Sequence, residues 1–154
     1  KNNGGSGIET WNSEYLIITN NTLINNRFGI FGGPASFFTI SFNTIELNRQ
    51  EGIMMITSSD AGFSKNSTIQ YNIFTNNTSY GISILGGIYI VIHHNSFTNN
   101  NLLSSQGFDA GSDNYWYDVN LLEGNFWDEW VSGNYSIDGS AGSEDIYPLS
   151  SSPV

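Results

Sequence analysis

With four Lys/Arg against fourteen Asp/Glu, this chain of 154 residues carries a net charge of −10, which argues against nucleic acid and against an anionic membrane surface as partners. It has no cysteine, which excludes disulfides and thiolate metal sites. No apolar run approaches the roughly 18 residues of a membrane-spanning helix, and the length is that of one domain.

Lys1–Ser6 is a polar, Gly-rich lead-in with no visible signal peptide. The chain then opens directly on a repeat, and an uncapped first unit would leave strand edges exposed. More protein upstream, or another subunit, is therefore expected on that end.

The repeat reads Ile18-Thr-Asn-Asn21-Thr-Leu23, Ile40-Ser-Phe-Asn43-Thr-Ile45, Ile69-Gln-Tyr-Asn72-Ile-Phe74 and Ile92-His-His-Asn95-Ser-Phe97, with a looser copy at Leu122-Glu-Gly-Asn125-Phe-Trp127. The key asparagines are 22, 29, 23 and 30 residues apart, and in the first four units another Asn follows five residues later, at Asn26, Asn48, Asn77 and Asn100. Periods of this length mean stacked supersecondary units. Leu16 and Ile18, Phe38 and Ile40, Ser67 and Ile69, and Ile90 and Ile92 alternate with period two, as in a strand with one buried face. Leu23, Ile45, Phe74 and Phe97 turn inward again after each Asn. The bend between is assigned to Asn, which tolerates the left-handed conformation. Gly7, Gly29, Gly52 and Gly81 open each unit, at corners where glycine's conformational freedom is expected to serve. Six extra residues in the third unit place a loop in the Ser58–Lys65 region. No stretch sustains a 3.6-residue period.

These features describe an all-β chain: a right-handed parallel β-helix of about five coils of 22–30 residues. Coils stacked about 4.7–4.9 Å apart would align Asn21, Asn43, Asn72, Asn95 and Asn125 as an amide ladder. Residues 1–114 are read as coils, and 115–154 as the last coil with an aromatic C-terminal cap. Four positions before each key Asn stand Ile17, Thr39, Thr68 and Val91, and six before stand Tyr15, Phe37, Asn66 and Tyr89. By parity they face outward, and an exposed apolar strip marks a contact surface.

From Tyr115 the composition turns aromatic. Trp116 and Trp127 are expected to plug the last apolar layer, Tyr147, Pro148 and Leu149 to pin the tail back along the rod, and Trp130 to be exposed. Gly124-Asn-Phe-Trp-Asp-Glu-Trp130 followed by Asp145-Ile-Tyr-Pro-Leu149 resembles the terminal signature of NosD-like β-helix proteins, within the wider carbohydrate-binding and sugar-hydrolase β-helix group. That resemblance implies an extracellular, cell-surface or periplasmic protein, and by the family's name a role in copper-enzyme maturation.

His93 and His94, as neighbours on a strand, should point to opposite faces and so cannot chelate one ion; His94 shares a column with Phe42 and Tyr71 and is expected to stack there. Arg27 and Arg49 should stand in adjacent coils, pairing with Glu46, Glu51 or Glu14. Asp128 and Glu129 should diverge, which leaves no simple glycosidase pair. Asp109, Asp113 and Asp118 are read on a Gly/Ser-rich loop, where calcium is the one cofactor with a case; no other metal is assigned. Sequons stand at Asn20, Asn66, Asn76, Asn77 and Asn134.

The reading these residues favour is a non-catalytic surface module for glycan binding or protein–protein assembly. Its candidate ligand-binding residues are Tyr15, Phe37, Tyr89 and Trp130, and its candidate partners are a glycan, another subunit, or a second copy side by side or end to end. The alternatives are a carbohydrate-active enzyme, lyase or glycosidase, and a copper-related periplasmic accessory protein.

Overall fold

The computed structural model describes residues 4–58 and 62–154. The chain winds through three parallel sheets in turn and stacks each coil on the last. One sheet takes Ile8–Thr10, Ile30–Gly32, Ile53–Met55, Ile82–Ile84 and Gly107–Asp109 in sequence order. A second is built on Ile17–Thr19, Thr39–Ser41, Ser64–Gln70 and Gly87–His93, and a third on Thr22–Ile24, Thr44–Glu46, Ile73–Thr75, Ser96–Thr98 and Phe126–Trp127. The fold is a parallel β-helix of five coils.

Like side chains fall in register, and that is what builds the core. Ile18, Ile40, Ile69 and Ile92 align strand by strand, as do Leu23, Ile45, Phe74, Phe97 and Trp127. Most members of both columns are fully buried. Ser67, at an inward position, is satisfied: its hydroxyl accepts from Phe38 N–H at 3.0 Å and donates to Lys65 C=O at 2.7 Å.

Two amide ladders run the length of the rod. Nδ2 of Asn21, Asn43, Asn72 and Asn95 each donates at 2.9–3.0 Å to Oδ1 of the next asparagine, ending on Asn125. Asn48, Asn77 and Asn100 make a second, ending on Gln106 Oε1. The backbone N–H of each donor residue converges on the same oxygen, so every ladder oxygen accepts twice from the coil before it.

The bend is not made by the ladder asparagine. The residue before it takes the left-handed conformation: Asn20, Phe42, Tyr71 and His94 have φ between 52° and 57°. Tyr15, Phe37, Asn66 and Tyr89 do the same one corner earlier, and Asn25, Leu47, Asn76 and Asn99 one corner later. This frees the ladder amide to point inward. The glycine column is likewise there for a different reason than expected. Gly29, Gly52 and Gly81 are not left-handed; a Cβ on Gly52 would lie 2.5 Å from Gly81 O and 2.8 Å from Phe74. Close coil approach, not φ, demands glycine.

Ser58 and Gly62 exchange backbone hydrogen bonds of 3.1 and 2.8 Å; of the expected Ser58–Lys65 loop, residues 59–61 lie outside the described residues, and Ser64 and Lys65 already belong to the strand Ser64–Gln70. A second insertion, 118–123, is a hairpin closed by the Asp118–Glu123 bridge.

At the C-terminus the plug stands one layer beyond the tryptophans. Trp116 and Trp127 are interior residues of the fifth coil, both essentially unexposed. Tyr135 stacks on Trp127 at 3.9 Å, and Ile137 is buried beside it. Their strand, Tyr135–Ser136, pairs antiparallel with Glu144–Asp145. Tyr147 C=O accepts from Gly124 N–H at 2.8 Å, and Leu149 N–H donates to Asn125 C=O at 2.8 Å, so the tail runs parallel to the fifth coil. Trp130 is half-buried against the core, its indole N–H donating to Gly133 C=O at 2.8 Å; it is not the exposed platform expected.

Candidate ligand-binding face

Left-handed corners set the geometry of the second sheet's outer surface. A residue with positive φ breaks strand alternation, so its side chain points outward next to one that already did. The result is two ridges. Tyr15 and Phe37 stack at 5.3 Å and 11°, with Asn66 and Tyr89 continuing the first ridge. Phe42, Tyr71 and His94 form the second, stacked at 5.2 Å and 4.9 Å. Between them lie Ile17, Thr39, Thr68 and Val91, then Thr19, Ser41, Gln70 and His93, register-aligned across the coils. Tyr15 is 72% exposed, and Phe42 and Tyr89 are each 54% exposed. The equivalent corner on the third sheet has Asn25, Leu47, Asn76 and Asn99, so aromatic rings are concentrated on this face.

Flanking the first ridge is a groove of about 500 Å³ lined by Ser13, Glu14, Ser36, Phe63, Lys65 and Ile88. That volume is in the range of small-molecule sites. Glu14, Ser36 and Lys65 occupy one register column, giving a carboxylate, a hydroxyl and an ammonium along one wall.

The histidines depart from the parity expectation for the same reason. His94 is the left-handed residue, φ 54°, so its ring swings to the side His93 occupies. The two Nδ1 atoms lie 2.6 Å apart, and His94 Nε2 is 2.7 Å from Glu123 Oε2. Both residues are only 6% exposed. Burial, then the nearby His94, pushes the His93 pKa below its ordinary value, with the Asp118 carboxylate opposing.

The chain matches the family model described as right handed beta helix region over residues 1–126. It belongs to the right-handed β-helix family. No curated protein matches this β-helix chain, and no solved structure does.

The remaining acidic candidates in this β-helix serve the stack. Asp109 is not on a flexible loop: it ends a strand and is fully buried. Its carboxylate accepts from Gly111 N–H, Asn114 Nδ2, Trp116 Nε1 and Ser143 Oγ. Asp113 is exposed and Asp118 half-buried, its carboxylate accepting from the N–H groups of Asn120 and Leu121. Among the described residues no three His, Asp or Glu side chains gather where one cation could sit. Asp128 and Glu129 do not diverge. Both accept from Gln106 Nε2, and Tyr135 Oη donates to Glu129 at 2.5 Å. Burial first, and Asp128 second, raise the Glu129 pKa. Arg27 pairs with Gln50 Oε1 at 2.7 Å and lies over Phe28, rather than meeting Glu46, Glu51 or Glu14; Glu51 accepts from Ser79 Oγ at 3.0 Å. Of the sequon asparagines, Asn20, Asn66, Asn76 and Asn134 are exposed, whereas Asn77 is a buried ladder member whose Nδ2 is committed to Ile45 C=O and Asn100.

Proposed function

We propose that this chain is a non-catalytic glycan-binding module of an extracellular, cell-surface or periplasmic protein, and that the ridged face of the second sheet is its contact surface. One observation carries the reading: bulky rings are held at positive φ while exposed to solvent. A left-handed residue other than Gly or Asn costs about 1–2 kcal/mol, and such strain marks functional positions. Neighbouring coils fill the same columns with Asn20 and Asn66, so the fold itself does not require rings there. Where two rings stack, the contact returns about 0.5–1.5 kcal/mol. Tyr89 has no such return. Its column neighbours are Asn66 and Asp113, also left-handed and without rings, so both faces of its ring are free of aromatic neighbours.

Flat apolar ring faces suit sugar rings, and the Thr, Ser, Gln and His side chains between the ridges supply hydroxyl and amide partners. The net charge of −10 disfavours polyuronates and favours neutral or amine-bearing glycans. The NosD-like terminal signature supports placement outside the cytoplasm. No residue is assigned to catalysis, and calcium at Asp109 loses its support because that carboxylate is committed.

Tyr89→Asn tests the reading through opposite signs. Relief of strain should stabilise the fold by about 1 kcal/mol, raising Tm by about 2–4 °C. Retardation in native affinity gels containing soluble neutral polysaccharides should meanwhile fall at least severalfold. A lower Tm would make the ring structural, and unchanged retardation would remove it from the binding surface.

A further inference from the structure

His93 lies between the ridges, and its hydrogen bonds determine which nitrogen carries its proton. Glu123 is an acceptor when ionised, so the 2.7 Å contact places the proton of His94 on Nε2. In the neutral ring Nδ1 of His94 is then a lone pair. The 2.6 Å contact therefore requires the proton on Nδ1 of His93, leaving His93 Nε2 unprotonated. That Nε2 makes no hydrogen bond among the described residues, while every fully enclosed side-chain nitrogen and oxygen has a partner. It therefore keeps some exposure, on a residue that is only 6% exposed as a whole and whose register column lies between the ridges.

We infer that His93 is a ligand-binding residue of this face, a hydrogen-bond acceptor of fixed tautomer whose Nε2 receives a sugar hydroxyl, with Glu123 acting through His94 as the positioning residue. The inference rests on the glycan reading for the identity of the donor. The tautomer follows from the geometry with Glu123 ionised and His94 neutral. Carboxylate, imidazole and imidazole form a chain that points a lone pair outward, much as a metal-bound histidine is oriented through its other nitrogen. Tyr71 packs edge-on against His93 with centroids 6.4 Å apart, restricting the ring. Among the described residues, His94, Tyr71 and Asp118 bear on His93, with Glu123 behind His94, and neither carboxylate would attract a uronate. A neutral hydroxyl fits this setting. Protonating Nε2 would turn the acceptor into a donor, and burial delays that step to below the ordinary imidazole value of 6.5.

Long-range ¹H–¹⁵N spectra of the full chain read the tautomers directly. His93 should show Nδ1–H with an unprotonated Nε2, and His94 the reverse; Glu123→Ala should scramble both. Native affinity gels containing glucomannan, xyloglucan or galactomannan read the binding. The native chain should be retarded, His93→Phe at least tenfold more weakly, and Glu123→Ala to an intermediate degree. Retardation should persist through pH 6.5 and fall only at lower pH. Equal retardation of the native chain and both variants overturns the role of His93 while leaving the glycan reading standing. An Nε2–H tautomer on His93 overturns the relay whatever the gels show. If the native chain is retarded in none of the three gels, the glycan reading and the hydroxyl acceptor fall together.

Discussion

Trp127→Ala is expected to destabilise the chain by about 3–5 kcal/mol, the range for truncating a buried aromatic. Trp127 lies flat between Phe97, at 4.2 Å and 10°, and Tyr135, at 3.9 Å and 10°. Its indole N–H donates to Asp145 Oδ2 at 2.9 Å. Truncation would open a cavity between two rings and separate the terminal layer from the coils. Trp127→Phe should cost less, roughly 1.5–3 kcal/mol, because it preserves the stack and loses the one hydrogen bond to a buried carboxyl group. Urea unfolding of the three proteins checks the order. A Trp127→Ala midpoint indistinguishable from the parent would mean that Tyr135 and Ile137 do not seal the rod.

The coils were legible because a ladder needs the same side chain at the same place in each coil, and repetition is what a sequence displays. The same logic located the apolar columns. The bends were not legible. A left-handed φ reads from sequence only where Asn or Gly occupies it, and here Phe37, Phe42, Tyr71, Tyr89 and His94 do. Strict parity therefore separated His93 from His94 when the backbone in fact joins them. The signal was present in the columns: Asn20 aligns with Phe42, and Asn66 with Phe37 and Tyr89. A position that accepts Asn in one coil and a ring in the next is outward and conformationally unusual.

The terminal layer was misplaced for a different reason. Tyr135, Ile137 and Asp145 enter outside the repeat, on an antiparallel hairpin, so no column announces them. Ladder polarity could have. Each amide donates toward the C-terminus, so the last Asn needs an acceptor that donates nothing back. Asp145 fills that place, its Oδ2 accepting from Asn125 N–H at 2.7 Å and from Trp127 Nε1, its Oδ1 from Tyr147 N–H at 3.1 Å. The second ladder passes through Gln106 and reaches Asp128 and Glu129. Both rows of amides therefore end on carboxylates. Buried at the end of its row, Asp145 has its pKa pushed up by desolvation, against the pull of these N–H donors.

Within the row the requirement is reversed, and Asn72 measures it. Its Oδ1 accepts from Asn43 N–H and Nδ2, while its Nδ2 donates to Ile40 C=O, Gln70 C=O and Asn95 Oδ1. Asn72→Ala strands the Asn43 N–H and removes several buried bonds, for an expected loss of about 2–4 kcal/mol, given roughly 1–3 kcal/mol for an orphaned buried donor. Asn72→Asp is nearly isosteric, yet it should be worse at neutral pH. It restores the acceptor for Asn43 but turns a carboxylate oxygen toward three other oxygens in a site with no exposure. Burial among acceptors raises the folded-state pKa of the introduced carboxyl above its unfolded value. The folded state then binds the extra proton, so the deficit should shrink as pH falls through that raised pKa and return as pH rises. Thermal melts of parent, Ala and Asp variants at pH 7 and near pH 4.5 would show this as a crossing, with Asp below Ala at the higher pH and above it at the lower. Parallel pH profiles for the two variants would mean that the amide's donors are not needed at this corner, and the one-way polarity of the ladder would have to be abandoned.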